Sequence, residues 1–388
     1  MDCYKLIKEN INYSYKPQIK NDTAFISISN SPIADKQLRK MISMLSIVVD
    51  KPTITKIRFC GDNINFSDKL SYILFECLLY ALIKDYKKEI SFDIKKRNLH
   101  ITTAGFADSL SISFIGGIKG SAEFINDFDR LTISNKHYRR VVLQNKPLEY
   151  LSSIFTEIKF FLDSACIDIK ERFNTKIDKG YIERVSEVVS ELANNAYEHA
   201  SADCLIDIDI TPDWTSKSGN RVFAINLAVV NFSDILLGDK LCAKMRKLGE
   251  THIEKDGLMH KYEQVHKAYE YHKRYFGYSY NSNDFYNIAS FQNKISSRVD
   301  RIMGGTGLPQ LLKMLMEQSE LDICYMLSGN EGLRFCSNYL EFKNDWIGFN
   351  MTHDFLYDIP DNNSILHSDL FIPGCAFNLK LILKMEEC

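Results

Sequence analysis

Glu191, Asn195 and His199 stand at i, i+4 and i+8 in the stretch "SELANNAYEHAS" (190–201). On an α-helix that spacing makes one row, each step turned by about 40°. A carboxylate and a carboxamide one turn apart are what a site needs to orient a water and hold Mg²⁺. Glutamate can take a proton from the water, while asparagine offers a neutral oxygen that leaves the metal's charge to the phosphates. The competing reading is a solvated face, with Asn194, Asn195 and Glu198 turned to water. A second motif bears on the choice. "RIMGGTGLPQLLKML" (301–315) puts Gly304, Gly305 and Gly307 just before a helical run. Amides at a helix start favour anions, and glycine lets them approach phosphate closely. The chain contains no GxxxxGK[ST] loop, and this turn lacks the third glycine of GxGxxG.

The elements that must position these residues can be read from periodicity. Ile182, Val185, Val189, Leu192 and Ala196 form a buried stripe on a helix expected over 179–199. Strands are expected at 204–210 and 221–232, and closing strands at 322–327, 332–337 and 376–384. The glycine turn feeds a helix at 304–318. Upstream, 24–29, 54–61, 89–94 and 99–105 read as strands, with helices at 35–49 and 72–83 between them. The expected organisation is a small α/β domain at 1–135, a helical connector at 136–178 and a larger domain at 179–388. The larger domain reads as α+β, a sandwich with helices on one face of a mixed sheet.

At 388 residues the chain is too long for one ordinary core. Its 45% hydrophobic and 25% charged residues are those of a soluble globular protein, and a net charge of −2 gives no overall pull toward nucleic acid or anionic membrane. The apolar run "YILFECLLYALI" (72–83) is too short to span a bilayer and contains Glu76, so it reads as a buried helix. The N-terminal residues lack the apolar core of a signal peptide. Ten cysteines without a CxxC pair suit reduced thiols. A cytoplasmic protein is the expectation.

Together the two motifs resemble the ATP-binding domain of the gyrase, chaperone, histidine-kinase and mismatch-repair ATPases, the GHKL superfamily, whose α/β sandwich is the Bergerat fold. "ELANNAYEH" is similar to its N-box, with the histidine four residues on that marks the anti-sigma-factor kinase branch. The resemblance implies Glu191 as general base or water-orienting residue, Asn195 as Mg²⁺ ligand and His199 at the nucleotide. "GGTGLP" resembles the glycine box, which implies phosphate contacts for Gly304, Gly305, Thr306, Gly307 and Leu308. In "FIPGCAFNLKLIL" the usual Gly-Thr pair is Gly374-Cys375, so the hydroxyl that often reaches adenine through water is absent. The adenine box departs furthest. "VVNFSDILLG" offers Asn231 where the family has aspartate and Ser233 for the first glycine, with Asp234 as an adjacent alternative. A neutral acceptor is weaker than a charged one.

Residues 236–303 correspond to the family's ATP lid, too long to lack structure. Within them Leu258, Tyr262, Val265, Tyr269, His272 and Phe276 form an amphipathic stripe, read either as packed on the ATPase body or as offered to a partner. His260, His266 and His272 step by six and point apart, against a shared metal. Ser296, Ser297 and Arg298 precede the glycine box, and Arg298 suits a γ-phosphate sensor because its fork grips phosphate, with a surface arginine as the competing reading. The βα alternation of the N-terminal domain and "TTAGFADSL" (102–110) resemble a STAS-like module, with Thr103 and Ser109 as hydroxyls to watch; a structural domain without such chemistry is the favoured reading. The resulting expectation is an ATP- and Mg²⁺-dependent regulatory protein that hydrolyses ATP slowly or acts as a serine/threonine kinase on a partner. A nucleotide-gated protein-binding module without turnover, as in a bacterial stress or phage-defence cassette, is the alternative. A protein partner through the lid or N-terminal domain and a homodimer are both compatible with the sequence. Membrane and nucleic-acid partners are not expected.

Overall fold

The computed structural model describes residues 1–388 except 96–98, 102–109, 135, 148, 174, 177–178, 201, 216–220, 251–256, 296–306, 319–322, 384–385 and 388. The chain opens with α1 (Tyr4–Lys8), β1 (Gln18–Lys20), β2 (Thr23–Ser27), α2 (Asp35–Ser46), β3 (Lys56–Gly61) and β4 (Ile64–Phe66). It continues with α3 (Lys69–Lys84), β5 (Glu89–Ile94), β6 (Leu99–Ile101), α4 (Leu110–Ile115) and α5 (Ser121–Asp129). Strands β2, β3 and β5 are parallel and β1 is antiparallel to β2, so this four-stranded sheet is the mixed one. Thr103 and Ser109 lie outside the described residues.

The second half holds β7 (Thr132–Ile133), β8 (His137–Val142), α6 (Glu149–Phe173), β9 (Thr175–Lys176) and α7 (Lys179–Asn195), then a π-helical turn at Ala196–Ala200. It proceeds through β10 (Cys204–Thr215), β11 (Arg221–Phe232), α8 (Asp239–Glu250), α9 (Gly257–His272), α10 (Ser282–Ala289) and α11 (Gly307–Gln318). Strands β12 (Tyr325–Arg334), β13 (Ile365–Leu383) and β14 (Glu386–Glu387) close the chain. The main sheet has six strands in the order β12-β13-β11-β10-β8-β7.

The fold is α+β, as the sequence predicts, with two differences in the larger sheet. Every pairing in it is antiparallel, so the mixed pattern belongs to the N-terminal sheet. It is also covered on both faces. Ile206, Ile208, Leu227, Val229, Phe377 and Leu379 face the core built with α6, α7 and α11. Leu205, Ala228, Val230, Phe232 and Ala376 face the core built with α1, α2 and α3. A strand buried on both sides reads as a continuous apolar run, as "FAINLAVVNF" does, and such a run does not say what covers each face.

Helix α3 is buried along its length from Lys69 to Leu82, which explains its lack of a polar face. Asp68 caps its start by accepting from the Ser71 amide. Its two buried charges meet the sheet. Lys69 Nζ lies 2.6 Å from Asp207 Oδ1 and also pairs with Asp209. Arg139 Nη1 donates to Glu76 Oε2 at 2.6 Å and to Asp207 Oδ2 at 2.8 Å. Tyr72 hydroxyl donates to the other Glu76 oxygen, and His137 Nε2 is 3.1 Å from both Asp207 oxygens. Burial opposes the charge on Asp207, but Lys69, His137 and Arg139 outweigh it and hold its carboxyl well below the usual carboxylate range. For Asp209 burial wins over Lys69 and Asn226, and its carboxyl is raised.

The closing strands expected at 322–327 and 332–337 are one strand: β12 passes through "LSGNEG" (327–332) unbroken against β13. The register shifts between Leu327 and Gly329 and again before Glu331, and Gly329 takes φ +68°. The turn-forming residues serve bulges that bend the strand instead of ending it.

In the expected lid region, Tyr262, Val265 and His272 of α9 are buried in the core that also takes in α10 and Phe355, so the stripe packs internally. His272 Nε2 donates to the Phe355 carbonyl at 2.9 Å, which leaves Nδ1 to accept from the Tyr280 hydroxyl at 2.6 Å. Both bonds suit the neutral ring, and burial pushes His272 down to about 4. Asp284, which caps α10 reciprocally with Asn281, is pushed up by burial to about 7.

Two stability predictions follow from these charges. Arg139→Met leaves Glu76 and Asp207 buried without their guanidinium and should cost about 3–5 kcal/mol of unfolding free energy in a urea titration. The His272 contribution is present above pH 6.5 and is lost on acidification toward its folded value, whereas the Asp284 contribution grows as pH falls from 7. Relative to wild type, Asp284→Asn should therefore lose stability between pH 6.5 and 4. His272→Leu should gain it over the same range, each by up to about 3 kcal/mol. Parallel pH profiles for all three proteins would disprove the assignment.

Candidate functional site

The candidate site forms where α7, the end of β11 and the start of α11 meet. Ile182, Val185, Val189, Leu192 and Ala196 all enter the core beneath α7, as their spacing predicts. Glu191 and Asn195 are half-buried at the edge of that stripe. Beyond Asn195 the helix widens into the π-helical turn. The row assumed for Glu191, Asn195 and His199 is therefore correct for its first step only. A π-helical turn carries more residues per turn than the α-helix on which the row is counted.

The turn is held from outside. Ser233 Oγ donates to the Ala200 carbonyl at 2.8 Å, and Lys240 Nζ reaches the Glu198 carbonyl at 3.4 Å. The Ser233 amide donates to Pro373 O at 3.1 Å, tying the end of β11 to β13. Ser233 thus has a structural role that its reading as a replaced glycine did not suggest. No sequence signal identifies Lys240, because its partner is a backbone carbonyl in another element.

The two motifs come together at Gly307. A Cβ there would lie 1.9 Å from Glu191 Cγ and 2.8 Å from its Cδ and Oε1. The glutamate stem occupies the space a side chain would need, so only glycine lets α11 begin against α7. Leu308 is 9% exposed and belongs to the core. Its side chain therefore faces inward, and only its backbone amide could serve a phosphate. Gly304, Gly305, Thr306 and Arg298, with Ser296 and Ser297, lie outside the described residues.

Asn231 ends the helix-facing row of β11 that includes Leu227 and Val229. Its register partners are Cys204 on β10 and Cys375 on β13, and both thiols are buried. Burial pushes Cys375 up to about 12, so the residue at the Gly-Thr position is a neutral thiol. Asn231 is 6% exposed, and its Oδ1 is buried with no hydrogen-bond partner. A buried unpaired acceptor costs about 1–3 kcal/mol, a cost that a donor from a ligand would relieve. Gly374, at φ +96°, lets that oxygen pack against its backbone, since a Cβ there would fall 2.6 Å from it.

Asp234, the alternative acceptor, does not join this group. Its side chain is 80% exposed and pairs with Lys5 Nζ at 3.0 Å. It lies past the end of β11, in the turn, where the alternation that aims Asn231 at the helices no longer applies. The site therefore combines a carboxylate (Glu191), a half-buried carboxamide (Asn195), a helix start (Gly307) and an unpaired buried amide oxygen (Asn231). That set can orient a water, ligate a hard cation together with phosphate oxygens and accept a hydrogen bond from a planar ligand.

Gly307→Ala should force α11 and Glu191 apart at a cost of about 1–3 kcal/mol. Thermal unfolding would reveal that loss, and any activity that uses Glu191 should fall with it. An unchanged melting temperature would contradict the contact. No family model, curated protein or solved structure matches this chain.

Proposed function

We propose that the protein is a Mg-ATP-binding regulatory protein of the GHKL type, which hydrolyses ATP slowly or phosphorylates a partner protein, with closure of the 236–303 region as the switch. The observation that carries this reading is the contact of Glu191 with Gly307. Two segments more than a hundred residues apart, each chosen for phosphate chemistry, meet on the sheet face that carries the unpaired Asn231 Oδ1.

The residues fit such a ligand. Asn195 would hold Mg²⁺, the amide of Gly307 at the start of α11 would face phosphate oxygens, and Asn231 Oδ1 would accept from an amino group on the base. Among the described residues no three His, Cys, Asp or Glu side chains gather as a ready-made metal site. A cation would therefore depend on the nucleotide's own oxygens, as Mg²⁺ commonly does. Bound Mg²⁺ supplies charge stabilisation to the phosphates. Glu191 positions the attacking hydroxyl, whether of water or of a partner's side chain, and takes up its proton. Arg298 is the proposed γ-phosphate sensor.

A second reading is a nucleotide-gated binding module without turnover. The neutral Asn231 favours it, because an uncharged acceptor makes a weaker bond to the base and hence a weaker hold on the nucleotide.

Calorimetric titration of ATP with Mg²⁺ into wild type and Asn195→Ala tests the site. Binding that requires Mg²⁺ and weakens at least tenfold in the variant is the expected result. No binding by folded wild type would refute both readings. If binding holds, turnover lost in Glu191→Ala supports the enzyme, and no turnover in either protein supports the module.

A further inference from the structure

Asn231 differs from the other buried asparagines whose amides are engaged. Asn226 Nδ2 donates to Asp209 Oδ1 at 2.8 Å and to Thr211 Oγ1 at 2.7 Å. Asn378 accepts from the Leu70 amide and donates to the Ile323 carbonyl, at 3.1 and 2.8 Å. Asn10 pairs with both backbone groups of Phe371, and Asn350 donates to three carbonyls. The Asn226 oxygen is itself buried and unpaired, but each of these amides makes hydrogen bonds that fix which end is oxygen and which nitrogen. Asn231 has no such assignment among the described residues. Its Oδ1 is buried and unpaired, and its register partners Cys204 and Cys375 are buried thiols whose ionisation is suppressed. Neither a charge nor a hydrogen bond selects which end of the amide faces the helix side.

We propose that Asn231 makes the nucleotide site tolerant of the purine's 6-substituent, so that 6-amino and 6-oxo purine nucleotides are both ligands. This rests on the nucleotide reading above and specifies its substrate class. A carboxylate at this position could only accept, and would select a 6-amino group. An amide carries an acceptor and two donors on one planar group. In one orientation Oδ1 accepts from a 6-amino group. After half a turn about Cβ–Cγ, Nδ2 donates to a 6-oxo group from nearly the same place. The two states exchange atoms of similar size, so the place against the Gly374 backbone holds either. No bond in the described structure must break for the exchange.

The test is titration of the full chain, with Mg²⁺, using ATP, ITP and the triphosphate of purine riboside, which carries only hydrogen at position 6. ATP and ITP should bind within about tenfold of each other. The hydrogen analogue should bind at least tenfold more weakly than both, because the buried amide would then stay unpaired. Asn231→Asp should keep ATP binding and weaken ITP at least tenfold relative to it. Asn231→Ser, which is smaller and uncharged, covers the case in which a buried aspartate prevents folding. It should bind all three nucleotides with affinities within a few fold of one another. ATP binding with ITP weaker by a hundredfold or more would overturn the inference while leaving the nucleotide reading intact. Equal affinity of wild type for the hydrogen analogue would overturn the amide contact. If none of the three binds, the nucleotide reading itself fails and the inference with it.

Discussion

The ion network between α3 and the antiparallel sheet is the constraint on which the rest of the arrangement depends. Lys69 and Glu76 are carried by a helix buried on all sides, and Arg139, Asp207 and Asp209 by strands buried on both faces. None of these charges has water to turn to, so each must find its partner in one relative placement of helix and sheet. Such networks are weak evidence for stability as such, since a well-packed apolar replacement is often as stable. Their effect is on position. An apolar helix can slide on an apolar sheet at little cost, but Lys69 cannot leave two aspartates without stranding them. The N-terminal unit is thereby registered on the face of the sheet opposite α7 and α11.

That registration bears on the candidate site. With one face of the sheet closed by α3, the other is left to α6, α7 and α11, and Asn231 belongs to that second face. The strand ends beside it are joined by short polar links. Ser328 Oγ donates to the Gly374 carbonyl at 2.6 Å while accepting from the Leu237 amide at 2.9 Å, and Ser233 ties the π-helical turn to β11. Asp234, drawn to Lys5 of α1, connects the same corner to the N-terminal unit. The corner where β11 ends is therefore built from both halves of the chain.

The elements were largely legible in the sequence. The α7 stripe, β5 and β11 are where periodicity predicts them, because each depends on a local repeat of apolar residues. The misreadings have a common origin. "LSGNEG" contains turn residues, but β13 runs alongside and supplies hydrogen-bond partners, so a bulged strand forms instead. Residues 137–142 fall in the stretch expected as a helical connector (136–178), yet "HYRRVV" forms β8 of the main sheet, because His137 and Arg139 find acids on β10 and α3 and are buried. The periodic row of Glu191, Asn195 and His199 assumes an α-helix that gives way to a π-helical turn at its third member.

By itself, the sequence determined the α+β class, the apolar faces of its helices and the residue types able to serve a phosphate-binding site. Those follow from periodicity and side-chain chemistry, which are local. Only the tertiary structure decided what covers each face of the sheet. It brought Glu191 against Gly307, sent Asp234 to Lys5 and left Asn231 Oδ1 buried without a partner. Each of these is a meeting, or a failure to meet, between residues far apart in the chain. Local pattern fixes which side of an element is apolar, and packing fixes what lies against it.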